Sequence, residues 1–210
     1  MTTIRVGEPA AGAATIITTL AARVESGAAL RAAAVLFVAV LTAAAAQVSV
    51  PLPFTPVPLT LQPLVVLLGG AALGSRLGLT SQLLYLAAGI AGLPVFAASP
   101  ALPQGLGRLM GPTGGYLMSY PIAAFVAGLL AERGFDRRYL TSVTAMAAGL
   151  LVVYAGGVSW LSLYTPGPDA VMAAVRAGLL PFVPADVIKI LAGATVLPQV
   201  WRFLGARHLT

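Results

Sequence analysis

Long apolar stretches alternate with short segments that hold most of the charge, and the lengths of those stretches are diagnostic. A helix needs roughly 20 residues to cross a bilayer. Six stretches approach that length: 31–49, 59–75, 77–93, 114–132, 139–162 and 184–205. They are continuous runs rich in Leu, Ala, Val and Gly, not the alternating ten-residue segments of a membrane barrel. The pattern predicts an all-α membrane protein with six transmembrane helices. Gly74-Ser75-Arg76 reads as a tight turn with a basic anchor, whereas 50–58 carries four prolines and cannot be helical. The loops 94–113 and 163–183 are long, partly apolar, and studded with Pro and Gly. Loops of that length are usually functional or disordered, and their apolar content argues against disorder.

Ahead of the spans, residues 1–27 hold Arg5, Glu8, Arg23 and Glu25 around an Ala/Thr-rich segment. That segment is too short and too weak to span, and lacks the basic-then-apolar order of a signal peptide. It is expected to be a cytosolic tail or surface helix, followed by one transmembrane domain over 28–210. Arginine placement sets the orientation. With six spans, one side holds Arg5, Arg23, Arg31, Arg76, Arg133, Arg137, Arg138, Arg202 and Arg207, the other only Arg108 and Arg176. Nine against two puts both termini in the cytosol and the three Pro/Gly-rich loops outside, as a cap over a pocket.

Composition agrees with membrane residence. Apolar residues make up 59% of 210 positions and mean hydropathy is +0.94, beyond what a soluble chain of this length can hide. The absence of cysteine excludes disulfides, thiolate catalysis and zinc–thiolate sites. His208 is the single histidine, so a histidine metal site or triad within one chain is not expected, and no cofactor is implied. The net charge of +6 would suggest nucleic acid for a soluble protein. Here the arginines sit at helix ends, where they orient the protein and meet anionic lipid, so no nucleic-acid partner is expected.

Against that background, Asp186 and Lys189 stand out. They lie inside the last apolar stretch, three residues apart, so a helix puts them on one face. An ionisable group at the bilayer centre costs about 2.5–3.5 kcal/mol, less near the interface. Two readings follow: a self-neutralising pair near the surface with Lys189 snorkelling to water, or a polar anchor for a ligand among apolar helices. The topology places the pair near the outer end of the last helix, beneath the long loops, where an external solute would be captured.

Four further stretches carry a family resemblance: Pro56-Val57-Pro58-Leu59-Thr60-Leu61-Gln62, Tyr85 to Phe96 (YLAAGIAGLPVF), Gly111-Pro112-Thr113-Gly114-Gly115-Tyr116-Leu117, and Pro181 to Lys189 (PFVPADVIK). In this order and spacing they resemble the BioY family, the biotin-specific S components of energy-coupling-factor (ECF) transporters, over residues 30–205. Pro63, the Ala97-Ala98-Ser99 run and Arg108 before the GPTGG turn depart from the family pattern. The resemblance implies biotin capture on the outer side and partners: a transmembrane coupling subunit and two ATP-binding-cassette ATPases. The chain itself has no GxxxxGK[ST] phosphate loop.

The resemblance makes Asp186 and Lys189 ligand contacts. A carboxylate can accept from the urea N–H groups of biotin, and an ammonium can donate to its urea or tail oxygens. Gly114 and Gly115 would let a carboxylate tail approach the start of a helix, or merely form a tight turn. Tyr85, Gln62 and Tyr116 would line the pocket, or serve as interfacial or interhelical hydrogen-bonding groups. Arg108 would bind a carboxylate, or stay a solvated loop charge; Trp160 reads as an interface anchor. Ala28/Ala32, Ala29/Ala33 and Ala39/Ala43 are small pairs suited to close helix contact with a coupling subunit. Competing readings are an S component for another water-soluble vitamin, a self-sufficient biotin transporter, an intramembrane enzyme and a channel. One Asp with one Lys is too little machinery for the enzyme, and neither an internal repeat nor a more polar lining supports a channel or secondary transporter. Import of biotin by the chain without ATPase partners stays open.

Overall fold

The computed structural model describes residues 14–22, 26–98 and 103–205. Expectations placed on Arg5, Glu8, Arg23, Glu25, Ser99, Arg207 and His208 fall outside the described residues. A short helix α1 (Ile16–Ala21) precedes α2 (Gly27–Gln47), which turns into strand β1 (Ser49–Val50). After a proline-rich crossing comes β2 (Leu59–Thr60), then α3 (Gln62–Leu73) and α4 (Ser75–Ile90). The remainder is helical: α5 (Leu106–Leu109), α6 (Gly114–Glu132), α7 (Tyr139–Leu161), α8 (Ala170–Gly178), α9 (Val183–Gly193) and α10 (Val196–Phe203).

Among the described residues, four helical segments are long and apolar enough to cross a membrane: Gly27–Gln47, Gly114–Glu132, Tyr139–Tyr164 and Val183–Phe203. The last combines α9 and α10, broken near Thr195, where Pro198 cannot donate to the carbonyl four residues back. The stretches expected as the second and third spans are shorter helices of 12 and 16 residues. Residues 59 and 60 are not helical because they pair antiparallel with 50 and 49, Ser49 opposite Thr60 and Val50 opposite Leu59. Helix α3 therefore starts at Gln62, with Pro63 in the first turn, where its missing N–H is harmless.

Helices in lipid gain little from burying apolar surface and rely on close packing. Helix α6 is central: Ala123, Ala124 and Ala127 are wholly buried. A Cβ on Gly70 of α3 would sit 2.4 Å from the Ala124 carbonyl oxygen, and one on Gly128 would sit 2.4 Å from the Gly74 carbonyl carbon. Side-chain-free backbone is thus what brings α3, α4 and α6 together. Between α2 and α4, Gln82 donates to the Thr42 hydroxyl at 3.2 Å, a polar tie inside an apolar bundle.

One end of the bundle is sealed by α1. Its N-terminus has a capping box between Thr15 and Thr18. Ile16 packs with Ala71, Ala131, Leu197 and Trp201, and Ile17 with Val35, Val38 and Leu73. Within the stretch expected to be a cytosolic tail or surface helix, this helix packs on the bundle. The same end holds a polar cluster. Glu132 accepts from the Ser75 N–H and hydroxyl, both at 2.8 Å. Trp201 Nε1 donates to Asp136 at 2.5 Å, and the Arg137 guanidinium lies 4.2 Å over the Trp201 ring.

Candidate functional site

A cavity of about 610 Å3, its open mouth included, lies at the opposite end of the bundle from α1. Its walls come from residues 57–60, the start of α3, residues 96, 97, 108 and 113, and from α6, α7, the end of α8 and α9. Much of the lining is apolar, including Val57, Phe96, Leu117, Val153 and Phe182. Each of the three Pro/Gly-rich stretches contributes lining residues, Val57, Phe96 and Phe182 among them.

One wall carries the acid–base pair. Asp186 and Lys189 occupy the first two turns of α9, and their side chains are 7% and 12% exposed. Lys189 Nζ donates to Asp186 Oδ1 at 2.7 Å and to the Thr60 carbonyl at 2.7 Å. Tyr154, four turns along α7, donates its hydroxyl to Asp186 Oδ2 at 2.6 Å. The β1–β2 pairing thus has a role in the site: it fixes the Thr60 carbonyl that holds the lysine. The pair neutralises itself and lines the cavity, and Lys189 does not snorkel to water, because its ammonium is bonded inward to Asp186 and the Thr60 carbonyl.

The other expected residues divide. Gln62, Tyr116 and Arg108 line the cavity. Gln62 also donates to the Tyr85 hydroxyl at 2.7 Å, and Tyr116 donates to the Gly178 carbonyl at 2.8 Å, tying α6 to α8. Tyr85 stands behind the wall, 1% exposed, edge-on to Phe96 at 5.5 Å and bonded to the Val95 carbonyl. Gly114 and Gly115 do not line the cavity. A Cβ on Gly114 would meet the Leu109 carbonyl oxygen at 1.7 Å, and one on Gly115 would meet Trp160 Cβ at 2.2 Å. Their smallness serves packing against the preceding loop and α7. Trp160 donates to the Gly111 carbonyl at 2.9 Å, so it pins the GPTGG turn.

Arg108 is not a solvated loop charge. It is 2% exposed, and its Nε donates to the Pro103 carbonyl at 2.9 Å. Burial pulls its guanidinium below the ordinary arginine value, an effect opposed by neighbouring Tyr85. Sequence reasoning did not single out Tyr154, Tyr120, Thr113 or the Thr60 carbonyl. Tyr154 and Tyr120 carried a usable signal, since a phenol within an apolar span needs a hydrogen-bond partner.

A model of the BioY family matches residues 15–206. The chain belongs to the BioY family. Among relatives, the Probable biotin transporter BioY of Pyrococcus horikoshii is 45% identical over 154 residues, which are 73% of this chain and 85% of that protein. The Biotin transporter BioY of Thermotoga maritima is 38% identical, covering 69% of this chain and 81% of its own length. That of Rhodobacter capsulatus is 36% identical, covering 80% and 90%. Among solved structures, the S-component for biotin from an ECF-type ABC transporter superposes with a TM-score of 0.73 at 22% identity, covering 85% of this chain and 94% of that one. This BioY chain has that S-component fold, and its apolar spanning helices make it a multi-pass membrane protein.

Proposed function

We propose that the chain is the biotin-capturing subunit of an ECF transporter, a transport protein and not an enzyme. The observation that carries this is the polar pole of Asp186, Lys189 and Tyr154 set in the wall of an otherwise largely apolar cavity. Biotin is an apolar bicycle with a urea at one end and a carboxylate at the other. A carboxylate beside an ammonium offers acceptor and donor to the urea N–H groups and oxygen. The relatives' names support biotin in particular. Gln62 and Tyr116 complete the polar lining, with Tyr85 fixing Gln62 from behind. Arg108, buried on the cavity wall, supplies the cation for the acid tail.

The chain spans the membrane six times, α3 and α4 included, with both ends cytosolic and the cavity facing out. Exposed Arg31, Arg76, Arg133, Arg138 and Arg202 all lie at the end away from the cavity, which supports that orientation. Without a phosphate loop of its own, the chain depends on a membrane coupling subunit and ABC ATPases for energy.

Calorimetric titration of the detergent-purified chain against water-soluble vitamins tests the reading. Biotin is expected to bind with about one site per chain, and the other vitamins are expected to give no heat at the same concentrations. Silence with biotin, together with saturable binding of another vitamin, would overturn the assignment.

A further inference from the structure

At the outer end of α6 the cavity has a polar group that the pole around Asp186 does not use. Thr113 is the residue before the first turn of α6, lines the cavity, and is 5% exposed. A threonine in that place ordinarily turns its oxygen onto the N–H groups of the first turn from an extended backbone. Here the backbone is helical, with φ −91° and ψ −3°, and the side chain makes no capping bond. The hydroxyl is buried and has no hydrogen-bond partner among the described residues. Buried hydroxyls left unpaired are uncommon, because the group forfeits its bonds to water.

Three features suited to an anion fall within residues 108–114. The N-terminus of α6, a 19-residue helix, presents the positive end of its dipole. Arg108 lines the same cavity five residues upstream, held by the Pro103 carbonyl. The Thr113 hydroxyl adds a donor free to rotate. Thr113, Leu117 and Tyr120 follow one face of α6 along the wall. Seven residues of helix span roughly 10 Å, so Thr113 stands well away from the deep end of that face. A ligand polar at both ends and apolar between would reach from one pole to the other.

We propose that Thr113 is the specificity residue for the ligand's carboxylate, donating its hydroxyl to one carboxylate oxygen at the start of α6 while Arg108 supplies the charge. This rests on the biotin reading of the same cavity.

The test compares the wild-type chain with Thr113→Val, which keeps the shape and removes the hydroxyl, and with Thr113→Ser, which keeps the hydroxyl. Each is titrated with biotin and with biotin methyl ester, and each is melted without ligand. Thr113→Val is expected to melt like wild type and to bind biotin about tenfold more weakly or worse. Its affinity for the ester should change less than twofold, and Thr113→Ser should recover most of the biotin affinity. Unchanged biotin affinity in Thr113→Val would overturn the role, as would an equal loss for biotin and ester. A wild-type chain that binds no biotin would instead remove the functional reading beneath it.

Discussion

The Lys189 ammonium has three N–H donors and gives two of them within the protein, to Asp186 and to the Thr60 carbonyl. The Asp186 carboxylate accepts from Lys189 and Tyr154 and has lone pairs left on both oxygens. A donor and an acceptor are thus held side by side by bonds that also fix their aim. Lys189→Ala would leave a buried carboxylate without its counter-charge, a change worth about 2–5 kcal/mol. Tyr154→Phe removes one bond to a charged acceptor, worth about 1.5–3 kcal/mol. Calorimetry on folded variants should therefore show a clear loss of biotin affinity for Tyr154→Phe and a larger one for Lys189→Ala. Wild-type affinity in Lys189→Ala would return the pair to a purely structural role. The pair was legible in the sequence because charge within an apolar stretch is rare. Tyr154 offered only the signal of a phenol within an apolar span; its partner depends on how α7 meets α9, and no local pattern encodes that meeting. The burial of Arg108 was hidden for a related reason: loop residues acquire their environment only when the loop folds back on the bundle.

At the scale of elements, the apolar stretches located α6 and α7 to within one residue and α2 to within four. They overestimated α3, because hydropathy does not distinguish two residues of strand from one turn of helix. The packing of α1 was also invisible, since six residues carry too little periodicity to show a buried face. What holds that end together is testable through Asp136, in the turn between α6 and α7. Its side chain is fully buried, with Oδ1 lacking a hydrogen-bond partner among the described residues. Burial pushes its carboxyl up to about 6, although the Trp201 hydrogen bond and the Arg137 charge oppose the rise. A carboxyl raised in the folded state favours folding while protonated, and that contribution is lost as pH rises through the folded value. The wild-type melting temperature in detergent should thus climb as pH falls from about 7.5 towards 5. Asp136→Asn should flatten most of that climb. An equally steep profile in the variant would place the titrating group elsewhere.

For the whole molecule, the geometry separates capture from delivery. The cavity occupies one end, while α1, Trp201 and the Asp136 cluster pack together at the other. Under the proposed function, delivery depends on engaging a coupling subunit, and we propose the outer side of α2 as the surface for it. Its inner side, with Val38, Ala39, Thr42 and Ala46, is buried in the bundle. Ala39 is 6% exposed and belongs to the core, so a tryptophan there would break the fold before it tested any docking. Ala28, Ala29, Ala32 and Ala33 are exposed at the arginine-rich end, one small-residue face pointing away from the bundle. Small residues let a partner helix approach closely, and bulk prevents it. Ala33→Trp is therefore expected to leave biotin titration of the purified chain unchanged while abolishing uptake in cells that supply the coupling subunit and ATPases. Wild-type uptake by this variant would move the contact to another face. Concentrative uptake by the unaltered chain in cells lacking every ECF subunit would show that the energy enters by a route other than the α2 surface.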